Sequence, residues 1–205
     1  YIAHGQHYQN QIDTTPGRMY RLRGSEARLE TALNLAAKTT DQLIALLGHA
    51  NKWHRHTAVR LLGERRDPAA APKLRQLIAR ERGLAALNAL WALHQAGGLD
   101  ETTARIALRH ADAVVHAWAA RLLGDEWGAQ RNLGAGRHAL FPAGVLPLAL
   151  FDALVAQARA ETDPETLVQF AATARRLAAS QALPLVAAVL AHAEAGGDAY
   201  LPLMC

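Results

Sequence analysis

The chain has 205 residues, a length that suits one domain or one elongated repeat array. Apolar residues make up 51% and aromatic residues 5%, with Ala and Leu dominant, and both favour helices because they lose little rotamer freedom there. The net charge of +4 permits a nucleic-acid partner without pointing to one, and the single cysteine, Cys205, excludes an internal disulfide framework and a multi-cysteine zinc site. No apolar run is long enough to predict a transmembrane segment.

Residues 1–25 are predicted to be an extended segment. Residues 13–17 carry a turn signal, Asp-Thr-Thr-Pro-Gly, and residues 18–23 alternate polar and apolar side chains, the period of a half-buried strand. Because a lone strand is unstable, we expect it to pair with a sheet upstream of this chain. The chain begins at Tyr1 without Met and ends on an apolar run, so we expect a piece of a longer protein.

From residue 26 to residue 205 the pattern is helical. Thr40 or Asp41 is the predicted N-cap of the first strong helix, and Pro68 is placed where it opens a helix rather than continues one. A Gly-rich stretch with Pro142 predicts a long loop at about 127–144. Helices are predicted over residues 40–49, 52–65, 69–81, 84–96, 101–110, 113–125, 145–160, 164–179 and 182–194.

The second helix of each pair carries a repeated string. Residues 58–63 (Ala-Val-Arg-Leu-Leu-Gly) recur 61 positions later as 119–124, residues 89–93 fall 31 positions after the first copy, and residues 174–177 match again beyond the loop. A period near 31 with two helices per unit is typical of an α-solenoid, because one hairpin cannot bury its apolar face alone. The predicted fold is therefore all-α, a HEAT-like solenoid of stacked antiparallel hairpins.

The residues that could carry catalysis or bind a metal do not form a site. His4 and His7 have no acidic or cysteine neighbour that completes a metal site, and His54 and His56, two apart on a helix, point in different directions. The two serines lie outside any Gly-x-Ser-x-Gly elbow: Ser25 and Ser180. We therefore predict no catalytic residue, no cofactor and no metal, and no enzymatic activity for this chain.

Partner binding has a better candidate at the start of the second helix. Trp53, His54 and Arg55 are the predicted partner-binding residues, since Trp and Arg side chains dominate interface energies. The competing interpretation is that the tryptophans of the repeats, Trp53, Trp91 and Trp118, are core or inter-repeat packing. Trp91, inside an apolar string, fits that interpretation best.

Three arginines recur in the matched strings: Arg60, Arg121 and Arg176. They can form a basic ladder for a ligand, or they can bond helix ends and carboxylates of the neighbouring repeat. We favour the structural role. With the net positive charge, this series motivates the alternative function, a nucleic-acid-binding module like the surface of HEAT-like DNA glycosylases.

Residues 17–22 (Gly-Arg-Met-Tyr-Arg-Leu), followed by helical repeats, are similar to the membrane-bound dehydrogenases of planctomycetes and their relatives. Residues 51–62, 89–94 and 201–204 resemble that family's repeat and closing segments. The resemblance implies a β-propeller upstream, a HEAT-like segment, and then a cytochrome c domain with a Cys-x-x-Cys-His haem motif. This chain lacks that motif, so no catalytic residue carries over.

The leading hypothesis is a non-catalytic scaffold or protein-interaction module. Its expected partners are another protein or neighbouring domains of the same chain, between which it acts as a spacer for redox domains. The family resemblance implies an exported or periplasmic location. A nucleic-acid partner is the less favoured alternative.

Overall fold

The computed structural model describes residue 24, residues 33–126 and residues 144–192. The chain divides into two units, Tyr1–Leu33 and Asn34–Cys205, and the described helices belong to the second. The predicted extended segment 1–25, apart from Gly24, lies outside the described residues, as do residues 127–143 of the predicted loop and the closing segment 201–205. The strand and the domain boundary at residue 25 therefore stay predictions.

The described part of the second unit is helical, as the sequence predicts. Two short 3-10 turns, Leu35–Ala37 and Leu46–Gly48, flank the first α-helix. The α-helices are α1 (Thr40–Ala45), α2 (Lys52–Arg65), α3 (Ala70–Arg80), α4 (Gly83–Gln95), α5 (Glu101–Leu108), α6 (Ala113–Glu126), α7 (Leu148–Ala160), α8 (Pro164–Ala174) and α9 (Ala179–Leu190).

Side-chain caps set where several of these helices begin. α1 starts with a capping box in which Thr39 and Gln42 bond each other's backbone amides, so the N-cap is Thr39 and not the predicted Thr40 or Asp41. The Thr40 hydroxyl instead donates to Asp67 Oδ2 at 2.7 Å. Asn51, Asp100 and Asp163 cap three further helices by accepting a first-turn amide: α2, α5 and α8.

The helices pack in two layers. In the odd layer, α1, α3, α5, α7 and α9 each contact the next member, and in the even layer α2, α4, α6 and α8 do the same. The layers are joined by the contacts of α1 with α2, α3 with α4, α5 with α6, and α8 with α9. One continuous apolar core runs between them, with Leu43, Leu90 and Leu150 fully buried. This arrangement confirms the all-α solenoid, in which each hairpin buries its apolar face against its neighbours.

Two glycines allow the even helices to approach closely. They close the two copies of the repeated string, Gly63 in α2 and Gly124 in α6. A Cβ atom at Gly63 would lie 2.7 Å from Gln95 Cβ of α4, and one at Gly124 would lie 3.2 Å from Thr173 Cγ2 of α8. The repeated glycine therefore marks the contact between successive even helices.

The fourth match of the repeated string is wrong as a structural equivalence. Arg60, Trp91 and Arg121 are each the ninth residue of an even helix, whereas the ninth residue of α8 is Ala172. α8 ends at Ala174, so Arg176 follows the helix. The predicted helix 164–179 stops there because Gly144 takes up the next backbone groups: its amide donates to Arg176 O at 3.1 Å, and its carbonyl accepts from Ala178 N at 2.8 Å.

Candidate partner-binding surface

The three predicted partner-binding residues do not share one surface. Trp53 is 46% exposed, whereas His54 and Arg55 are buried at 4% and 8%. The Arg55 guanidinium donates to His49 O at 2.6 Å and to Ala50 O at 2.8 Å, so it holds the turn that precedes α2. The His54 ring lies against the rings of His49 and Trp53, at 4.5 Å and 5.1 Å between centroids. Of the three, Trp53 alone has an exposed side chain, and the His54 ring lies against it.

A shallow depression lies beside Trp53 on the outer face of α2. Its walls come from Lys52, Trp53, His56, Thr57 and Arg60. The backbone under it is fixed, because Asn51 Oδ1 accepts the Trp53 amide at 2.9 Å and caps the helix. An aromatic ring on a rigid helix end, with two cationic side chains next to it, is suited to an anionic or amphipathic group of a partner.

An aromatic row crosses the even layer from α2 to α6. The His56 ring meets Trp91 edge-on at 6.0 Å, Trp91 meets Trp118 at 4.6 Å, and the Arg121 guanidinium lies 4.9 Å from the Trp118 ring centroid. Trp91 and Trp118 are half-buried against the core. Their inter-repeat packing, predicted from the sequence, is confirmed, and edge-to-face rings and a cation over a ring add to the apolar contact. Trp53 stands apart from this row, since its ring is exposed.

The three repeated arginines each have a carboxylate neighbour. Arg60 pairs with Glu64 of its own helix at 2.6 Å, Arg121 lies 3.8 Å from Asp125, and Arg176 reaches the same Asp125 from beyond α8. Arg60 and Arg121 pair within their own helices, and Arg121 and Arg176 share one carboxylate, so the structural role favoured from the sequence is met in part. The Arg176–Asp125 pair is the one of the three that joins two repeats.

A buried polar cluster joins α6 to the start of α8. His116 Nδ1 lies 3.0 Å from Glu161 Oε2 and 3.3 Å from Gln157 Nε2. Glu161 Oε1 also accepts the backbone amides of Thr162 and Asp163, at 2.9 Å and 3.1 Å. Burial, the largest single influence, raises the pKa of the Glu161 carboxyl, but the bonds from Asp163, His116 and Thr162 together outweigh it and hold that pKa below its ordinary 4.5.

This cluster has the residue types of a catalytic acid–base pair, but its burial and its bonds to backbone amides indicate a structural role. The side chains of His116 and Glu161 are only 12% and 5% exposed. The carboxylate has its oxygens occupied by bonds that fix the start of α8. No local pattern in the sequence predicts this pair, because its members lie 45 positions apart and come together only when the fourth hairpin packs on the third.

The histidines behave as their spacing predicts. His54 is buried and His56 is exposed, so two neighbours on α2 do face different environments. His4 and His7 lie outside the described residues. Within residues 33–126 and 144–192, no group of three or more His, Cys, Asp or Glu side chains is placed to hold a metal ion. No helix in those ranges is long and apolar enough to cross a membrane.

The repeat geometry and the sequence agree on the kind of fold. A family model described as HEAT repeats matches residues 40–124. The matched region covers the first three hairpins, α1 to α6, and contains the aromatic row and Trp53. Comparison with curated proteins and with solved structures gives no match. The all-α fold is thus a HEAT-like solenoid, and HEAT repeats commonly serve as protein-interaction scaffolds.

Proposed function

We propose that this chain is a non-catalytic scaffold whose even layer binds a partner protein or a neighbouring domain of the same polypeptide. The observation that carries the proposal is Trp53, which is 46% exposed at a capped helix end and lies against the buried His54 ring. A large aromatic side chain held rigidly at the surface loses little conformational freedom on binding, which is why such residues anchor interfaces.

The experiment is site-specific photo-crosslinking of the protein in its natural host. A photoreactive amino acid replaces Trp53, and in a matched control it replaces Gln76, an exposed residue of α3 in the odd layer. We expect crosslinks to one defined protein or domain from position 53 and none to it from position 76. Equal crosslinking from both positions would contradict binding through the even layer.

In its finer form, the proposal is a spacer between redox domains of a larger exported dehydrogenase. The similarity of residues 17–22, 51–62 and 89–94 to that family supports it. The sequence encoded on either side of this chain tests it. A propeller upstream and a Cys-x-x-Cys-His motif downstream are expected, while flanks of another kind would end this form of the proposal and leave the scaffold role standing. Dehydrogenase turnover by this chain alone would overturn the scaffold role.

The nucleic-acid alternative rests on the net charge of +4 and on the arginine series. Each of these arginines has Glu64 or Asp125 as a neighbour, so the series is not a free basic ladder. Direct titration with duplex DNA at rising salt remains the measurement that would revive it, because phosphate binding weakens steeply with salt.

A further inference from the structure

The turns that lead from an odd helix into the following even helix form one edge of the first three hairpins. The residues of this basic edge are 49–53, 80–84 and 109–114. The opposite edge, called the acidic edge, contains the turns that lead from an even helix to the next odd helix, at 65–67 and 99–101. It also contains the end of α6, at 125–126. The two edges differ in charge and in apolar exposure.

An apolar row runs along the basic edge. The second residue of each even helix in the HEAT-matched region is a large apolar side chain at the surface: Trp53 of α2, Leu84 of α4 and Val114 of α6, exposed by 46%, 53% and 52%. The same position of α8 is Glu165, so the row ends with the third hairpin. Single exposed apolar residues are ordinary, but three at one repeat position on adjacent helices form a continuous feature.

The even helices α2, α4 and α6 run in the same direction, which brings these three residues into line. The amide of Gly83, the first residue of α4, bonds Asp112 just before α6 at 2.8 Å. Further along, Gly63 and Gln95 meet near the ends of α2 and α4. Packed helices lie about 8–10 Å apart, so residues at this shared helix position are expected to be spaced by about that distance.

Four exposed cations accompany the apolar row: Lys52, Arg80, Arg82 and Arg109. None of them has a carboxylate within ion-pair distance among residues 33–126 and 144–192. Two acidic residues share the edge, and the carboxylate of one, Asp112, is already bonded to the amides of Gly83 and Val114. The acidic edge has more acidic than basic residues. Its basic residues are Arg65 and Arg66, and its acidic residues are Asp67, Asp100, Glu101, Asp125 and Glu126.

Folding does not explain two of these cations. Arg80 is the last residue of α3 and Arg109 is the C-cap of α5, positions where positive charge is favourable. Lys52 is the first residue of α2 and Arg82 is the N-cap of α4, where the helix dipole disfavours positive charge. Arg82 also makes no capping bond. Their placement costs some stability, and a negatively charged partner would offset that cost.

We propose that the basic edge binds an acidic, extended segment of a partner protein that carries an apolar side chain at every third residue. This inference rests on the proposed scaffold function. A polyproline-II strand rises about 3.1 Å per residue, so every third side chain lies on one face about 9.3 Å from the last, which matches the spacing of the apolar row. The carboxylates of such a segment meet the four cations. The aliphatic Leu84 and Val114 offer no stacking platform to a nucleic-acid base, so a protein segment fits this edge better than DNA does.

The probe is a labelled twelve-residue peptide of the repeat Leu-Pro-Glu, titrated against the protein at low and moderate salt by fluorescence anisotropy. We expect saturable binding that weakens as salt rises, and no binding of a matched Leu-Pro-Lys peptide or of a Ser-Pro-Glu peptide. Arg82→Glu and Leu84→Ser should each weaken binding by about fivefold or more, equivalent to about 1 kcal/mol. Arg66→Glu makes the same charge change on the acidic edge and should leave binding unchanged.

Stability measured on the same variants separates binding from folding. Arg82→Glu places a negative charge at a helix N-terminus, so its melting temperature should equal or exceed that of the wild type while its affinity falls. Absence of peptide binding to the wild type, equal binding of the Leu-Pro-Lys peptide, or equal loss in Arg66→Glu would overturn the assignment of this edge. Duplex DNA that binds and is lost in Arg82→Glu, without peptide binding, would replace it with a nucleic-acid site. Each of those results leaves the crosslinking test of the scaffold role intact.

Discussion

The two ends of the even layer are joined by different chemistry. From α2 to α6 the contacts are rings and a close-packed glycine: His56, Trp91 and Trp118 meet edge to face, and Gly63 lies against Gln95. From α6 to α8 they are hydrogen bonds from side chains to backbone. The buried Thr173 hydroxyl donates to Ala120 O at 3.1 Å, and Thr166 Oγ1, whose proton goes to Asp163 Oδ2 at 2.7 Å, lies 3.3 Å from Ala113 O.

This difference follows from how each interface is specified. The first three hairpins repeat at nearly constant spacing, so equivalent residues meet, and their packing keeps them in register together with polar contacts such as that of Gly83 N with Asp112. The interface of α6 with α8 follows residues 127–143, where the spacing is broken. Its two threonines are seven apart, as are the carbonyls that they contact, so the two contacts lie two helical turns apart and together fix the register. We therefore expect the helices after residue 144 to be a separable part of the array.

The largest expected effect on stability comes from truncating a core side chain of the helices after residue 144. Phe170 of α8 is fully buried, and Phe170→Ala should lower the free energy of unfolding by about 3–5 kcal/mol, while Leu90→Ala in α4, the matched change, should cost about 2–5 kcal/mol. Hydrogen exchange followed by mass spectrometry locates the loss. In an array coupled only between neighbours, Phe170→Ala should deprotect α7 to α9 and spare α2 to α4. Uniform deprotection would show that the array unfolds as one unit.

A smaller effect is expected at the tie between His116 and Glu161. Glu161→Gln keeps an acceptor for the amides but removes the charge, and should lower the free energy of unfolding by about 1.5–3 kcal/mol at neutral pH. Because its folded pKa lies below 4.5, ionised Glu161 stabilises the fold above that pH, and the contribution is lost as pH falls through the folded pKa.

Chemical denaturation from pH 7 down into that acidic range measures this dependence. The stability of the wild type should fall more steeply than that of Glu161→Gln, and the two curves should converge in acid. Glu165→Gln, an exposed change four positions later, is the control and should shift stability by no more than about 0.5 kcal/mol. Parallel curves for wild type and Glu161→Gln would show that the charge of this carboxylate does not help α6 to hold α8.

Local patterns predict the helices well and the long-range contacts poorly. The bounds of α2 match the predicted 52–65, because Asn51 caps one end and Pro68 excludes continuation at the other. The repeated glycine and the packing of Trp91 also follow from a pattern that a single chain displays. The burial of His54 and Arg55 does not, since it depends on the path of the preceding turn, whose carbonyls capture the guanidinium.

The predictions from sequence place repeat positions wrongly mainly after the predicted loop at 127–144. The match of residues 174–177 to the repeated string rests on residue type alone, and these residues begin at the last residue of α8 and continue beyond it. The register of α8 is fixed by the contacts of Thr166 and Thr173 with α6. Nothing in the local sequence distinguishes these threonines from exposed ones. The apolar row on the basic edge could not be predicted from sequence patterns either. Its three residues occupy the same helix position but differ in chemical type: Trp53 is aromatic, and Leu84 and Val114 are aliphatic.

The smallest effects are expected from replacing the equivalent glycine of the repeated string at each interface, Gly63 and Gly124. In Gly63→Ala the new methyl group would lie 2.7 Å from Gln95 Cβ, which moves only with its backbone, so the variant should lose about 1–2 kcal/mol even after the gain in helix propensity. In Gly124→Ala the nearest atoms are the Arg176 Cδ and Thr173 Cγ2, both at 3.2 Å, and the arginine side chain can turn away. The propensity gain of about 1 kcal/mol should then offset the crowding, leaving stability nearly unchanged. Thermal unfolding of the two variants side by side measures the difference, and a loss at Gly124 equal to that at Gly63 would show that the α6–α8 contact is as tightly packed as the α2–α4 contact.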